Sequence, residues 1–83
     1  KITAEALERA VPRLFADKSC GEVFRIKGFV KNRAGQWMEL NATPDSHTMQ
    51  PVAVGQEVLI VIGEHLQEDK IREILKEEET CQS

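Results

Sequence analysis

The stretch Glu22–Ala42, EVFRIKGFVKNRAGQWMELNA, decides the fold. On both sides of a short polar break its side chains change character with a period of two, as half-buried strands do. Phe24, Ile26, Gly28 and Val30 fall on one face; Val23, Arg25, Lys27, Phe29 and Lys31 fall on the other. After the break, Met38, Leu40 and Ala42 oppose Trp37, Glu39 and Asn41. A three-residue loop, Arg33-Ala34-Gly35, joins the strands and puts glycine at the left-handed position such a loop requires. That loop sets Val30 against Met38 and Gly28 against Leu40, apolar against apolar. A slip of one residue would turn the whole apolar set to solvent.

Upstream, Leu7, Ala10, Val11, Leu14 and Phe15 recur at helical spacing. Thr3 suits the N-cap, and Glu5 and Glu8 lie where the helix dipole favours acids. Pro12 lacks a backbone donor, which predicts a kink or a split on the polar face. Downstream, Thr43–Ser46 reads as a turn and His47–Gln50 as a short strand that Pro51 confines to an edge. Residues 57–63, EVLIVIG, form a continuous apolar run, the pattern of a central strand covered on both faces. A second helix is predicted from near Gln67, with Ile71, Ile74 and Leu75 toward the core and Glu68 paired to Arg72. Glu77, Glu78 and Glu79 oppose its dipole, so its end is expected to fray. The order predicts an α+β two-layer sandwich: an antiparallel sheet of three to four strands with both helices on one face.

Eighty-three residues make one small domain, spanning 1–83, with little capacity for a core. The opening KITAEALERA lacks methionine and already lies inside a helical pattern, which suggests a domain cut from a longer protein. A net charge of −3 argues against a dedicated nucleic-acid binder, although the three terminal glutamates supply much of it. Cys20 and Cys81 have no metal-finger spacing; they read as two reduced thiols in a cytoplasmic setting, the alternative being a disulfide, which needs an oxidising compartment. No apolar stretch approaches the roughly 18 residues of a membrane span.

No nucleophile, phosphate-loop or metal-binding motif occurs, and His47 and His65 are far apart and read as solvated. No catalytic, cofactor-binding or metal-ligating residue is assigned, and no cofactor is expected in this chain. The chemistry that remains is the outer sheet face. There the hairpin register sets Lys31 opposite Trp37, Phe29 opposite Glu39 and Lys27 opposite Asn41, with Arg25 at the rim. Lys31 over Trp37 makes a cation–π pair. The 57–63 run adds either Val58, Ile60 and Ile62 or Leu59 and Val61, giving an apolar patch of the size that marks an interaction site. Gly28 leaves room for a helix to approach the inner face. Arg25, Lys27, Phe29, Lys31, Trp37 and Glu39 are therefore the candidate interaction residues.

The alternative is a small nucleic-acid-binding domain using strand 23–31. KGFV (27–30) overlaps the core of an RNA-binding signature, and LIVIGEHL (59–66) has the outline of its companion. That module stacks bases on aromatic rings, and here the second ring of one segment and the ring of the other are missing. The two segments also run in reverse order, which argues against nucleic acid.

VFRIKGFV followed by a hairpin, a tryptophan and VLIVIGEHLQEDKIREIL resembles the C-terminal domain of CobW-type P-loop GTPases, over about residues 5–76. Arg25, Lys27, Gly28 and Phe29 match its R-x-K-G-F strand, and Ile62, Gly63 and Leu66 its closing strand and turn. The family is associated with cobalamin biosynthesis and metal delivery, and its GTPase and metal motifs belong to an N-terminal domain. The resemblance implies a non-enzymatic accessory domain that contacts its own N-terminal GTPase domain, another subunit or a metalloprotein client. It assigns no catalytic role to the K-G-F strand.

Overall fold

The computed structural model describes residues 2–80. Helix α1 (Ala4–Ala16) leads through a single 3₁₀ turn (Lys18–Cys20) into strands β1 (Glu22–Lys31), β2 (Trp37–Ala42), β3 (His47–Pro51) and β4 (Val58–Glu64), and helix α2 (Glu68–Thr80) closes the chain. The strands form one antiparallel sheet in the order β3-β2-β1-β4. Both helices pack on one face, where Leu7, Leu14, Ile26, Leu40 and Ile74 are fully buried. This is the α+β two-layer sandwich that the periodicities predict.

The hairpin register holds throughout: Val30 pairs with Met38, Gly28 with Leu40 and Phe29 with Glu39. Asn32 fixes the loop. Its side-chain oxygen accepts from the backbone N–H groups of Ala34 and Gln36 at 3.0 and 2.9 Å, and Gly35 takes φ +85°. Thr3 caps α1, its hydroxyl accepting from the Ala6 N–H at 3.2 Å. His47–Pro51 is an edge strand, as Pro51 requires.

Five expectations need correction. Val23 is buried and Phe24 is 45% exposed, the reverse of simple alternation. Val23 pairs with Gly63 while Arg25 pairs with the adjacent Ile62, so Phe24 is the extra residue of a β-bulge and the strand changes phase there. β4 is an edge strand rather than a central one. Its inner residues Leu59 and Val61 are half-buried, whereas Val58, Ile60 and Ile62 stand 41–49% exposed on the outer face.

The third correction concerns Pro12, which does not split α1. Fourth, α2 continues through all three terminal glutamates to Thr80. The reason is tertiary: Arg9 and Arg13 of α1 bind Glu77 and Glu78 at 2.7–3.1 Å, and Arg9 also donates to the Glu78 carbonyl. These cations offset the unfavourable dipole. Fifth, the space at Gly28 is taken by β4. A Cβ there would lie 2.7 Å from the Val58 carbonyl oxygen and 2.8 Å from Leu59 Cδ1, so the close neighbour is a strand and not a helix.

Candidate interaction surface

The sheet's outer face is built by parity. With Ile26, Val30, Leu40 and Ala42 committed to the helices, Arg25, Lys27, Phe29 and Lys31 of β1 must face away, as must Trp37, Glu39 and Asn41 of β2. β4 adds Ile62 beside Arg25, Ile60 beside Lys27 and Val58 beside Phe29. Phe29 thus lies between Glu39 and Val58, a ring flanked by a polar strand on one side and an apolar one on the other.

Charge on this face is largely internal. Arg25 Nη2 donates to Asn41 Oδ1 at 3.1 Å, Asn41 Nδ2 donates to Glu39 Oε2 at 3.4 Å, and Lys27 Nζ lies 3.9 Å from the same carboxylate. Glu39 therefore ties down two of the polar groups around it, and the rim is less cationic than three bases suggest. Lys31 Nζ sits 5.3 Å from the centroid of the Trp37 ring, the predicted cation–π geometry. A pair of this kind at an exposed site contributes about 0.5–1 kcal/mol.

Trp37 is not bare. The segment between β3 and β4 crosses its ring, and a Cβ at Gly55 would fall 2.8 Å from Trp37 Cε3. The Val52 N–H donates to the Trp37 carbonyl at 3.0 Å, which anchors the segment at its start. The open apolar area accordingly lies toward β4. It is made by Val58, Ile60, Ile62 and the bulged Phe24, all more than 40% exposed, with Phe29 half-buried beside them. Sequence reading named Phe29 but missed Phe24. A bulge leaves no mark in composition, and only the mismatch of burial against alternation reveals it.

The remaining candidates for chemistry are dispersed. His47 Nε2 lies 3.1 Å from Glu8 Oε2, and His65 follows β4 with φ +53°. Among the described residues, no group of three His, Cys, Asp or Glu side chains is placed to hold a metal ion. Among the described residues Cys20 is a free thiol; it is fully buried, and burial pushes its ionisation up, with Asp17 adding to the effect. Cys81 lies outside the described residues, and with it any pairing of the two cysteines. Among the described residues no helix is long and apolar enough to cross a membrane.

A two-layer sandwich with an exposed apolar sheet face places the chain in the class of small α+β domains. The family to which it belongs follows from comparison with known proteins. The description "Cobalamin synthesis protein cobW C-terminal domain" matches residues 1–79, and the chain belongs to that family. No curated protein and no solved structure matches the chain.

Proposed function

We propose that this chain is a non-enzymatic accessory domain of a CobW-type GTPase acting in cobalamin biosynthesis or metal delivery, and that it works by protein contact through the outer face of its sheet. The observation that carries the reading is the cluster of Val58, Ile60, Ile62 and Phe24, which the isolated domain leaves in water. The family assignment supports the setting, because the matched family is a C-terminal domain, and the resemblance to CobW-type GTPases implies that catalysis belongs to the domain before it.

The favoured occupant is the GTPase domain encoded with this chain; another subunit or a metalloprotein client is the other outcome of the test. Apolar contact would centre on Ile60 and Ile62, with Phe29 at the margin and the Arg25–Asn41–Glu39–Lys27 network as a polar rim. Single-stranded nucleic acid suits this face less well, since its two central bases are already engaged and its bare side chains are mostly aliphatic. The test is to titrate the isotopically labelled domain with the GTPase domain from the same reading frame. Amide shifts confined to β1 and β4, abolished by Ile60→Asp, support the reading. Shifts confined to α1 and α2, or a reading frame with no GTPase domain, overturn it.

A further inference from the structure

The two edges of the sheet are unlike. β3 is short, shows His47, Thr48 and Gln50 exposed, and ends in Pro51, which has no N–H to offer. β4 has seven residues and contains no proline, lysine or arginine, the devices that usually blunt an edge. Among the described residues no second strand lies beside it. Both of its faces are apolar. Val58, Ile60 and Ile62 line the outside, while Leu59 and Val61 border an open groove of about 410 Å³ that Leu66, Ile71 and Leu75 complete on the helical side, with the Glu68–Arg72 ion pair at its rim.

We propose that β4 is a self-association edge: two copies of this chain pair antiparallel, β4 against β4, about a two-fold axis at Val61. A two-fold contact must be self-complementary, and this strand is. Val61 is the middle residue of Val58–Glu64, so the axis there uses the whole strand. Ile60 then meets Ile62 of the second copy on the outer face, twice over, and Val61 meets itself on the inner face. Leu59 and Val61 of each copy, which line its groove, lie along the shared edge on the helical side.

Charge selects the orientation. Glu57 and Glu64 flank the apolar run. In the antiparallel register Glu64 meets Val58 and Glu57 meets His65, so no acid opposes an acid. Parallel pairing in register would instead stack each glutamate on its own copy, a destabilising arrangement. A seven-residue edge is small against the roughly 1,200 Å² of the smallest stable interfaces, so the dimer is a weak one that forms as concentration rises. The pairing goes beyond the docking role and does not rest on it: it is made by the backbone edge of β4, although Ile60 and Ile62 belong to both surfaces, and it is read by self-association of this chain alone.

The experiment is sedimentation equilibrium of the 83-residue chain from about 10 µM to about 1 mM, with hydrogen exchange followed over the same series. A monomer–dimer equilibrium is expected, with β4 amides exchanging more slowly as the dimer fraction rises. Ile60→Lys is expected to weaken the dimer at least about tenfold, and Ile62→Thr serves where the lysine variant does not fold. Dilute samples of the variant should keep the helical circular dichroism and unfolding midpoint of the parent. A chain that stays monomeric to about 1 mM overturns the proposal and leaves the edge to a foreign strand. So does a dimer whose β4 amides gain no protection, or one that both folded variants leave intact.

Discussion

Arg13 and Glu78, 65 residues apart in the chain, meet at 3.0 Å, and Arg9 reaches the same carboxylate from one helical turn away at 3.1 Å. Glu78 is the sheltered acid of the cluster, with 14% of its side chain exposed against 50% for Glu77. Arg13, and after it Arg9, hold the Glu78 carboxyl below its ordinary value of 4.5. A lowered folded-state value means that the unfolded chain takes up the proton first. The contribution of this contact is therefore complete above about pH 4.5 and is lost as the pH falls through the depressed value. Urea midpoints measured from pH 7 to pH 3 should fall more steeply for the parent than for Glu78→Gln. Parallel curves would rule the contact out as a source of acid sensitivity.

Cys20 tests the core from another side. Its thiol is fully buried and harder to ionise than usual, chiefly by desolvation. In a Cys81→Ser background, a thiol reagent at pH 8 should react only at the rate at which the domain opens, and at once in urea. Rapid labelling of the folded chain would place Cys20 at the surface, contrary to the structure. Above about pH 9, where the unfolded thiol ionises first, stability should decline as pH rises.

Gly28 sits where β1 and β4 approach too closely for a side chain. Alanine there must push back the Val58 carbonyl as well as Leu59, and a carbonyl in a ladder has little freedom to move. We expect Gly28→Ala to cost about 1–3 kcal/mol, read as a lower denaturation midpoint. Gly35, where the left-handed backbone meets empty space, should tolerate asparagine far better than valine.

Trp37 is the chain's single tryptophan, so its emission reports the segment that crosses it. A methyl group at Gly55 would have to lift that segment off the ring. Gly55→Ala should therefore shift Trp37 emission to the red and increase its quenching by iodide, while the circular dichroism of the helices is unchanged. Identical emission in the two proteins would mean that the ring is already open to water.

Local rules made much of this fold readable. The Arg33–Gly35 loop sets the hairpin, and the hairpin sets which of Phe29, Lys27 and Glu39 share a face, all from residues a few places apart. What was illegible depends on neighbours distant in the chain. An apolar run such as 58–62 looks the same in a central strand and at an edge, because topology alone decides whether another strand lies beside it. The end of α2 reads as frayed until Arg9 and Arg13 are known to lie across from it. Trp37 reads as bare until the 52–57 segment is placed over it. The candidate surface was thus recognisable from its β1 and β2 members, while its most exposed part came from the position of β4.

The misfit at Phe24 has a mechanical consequence. A uniform ladder can be offset by two residues and still keep oily side chains beneath the helices, whereas a ladder with one surplus residue closes properly in a single alignment only. Phe24 thereby works as a detent between β1 and β4. It fixes where β4 stops along β1, with Val58 beside Phe29, and so the height at which any incoming molecule would find Ile60 and Ile62.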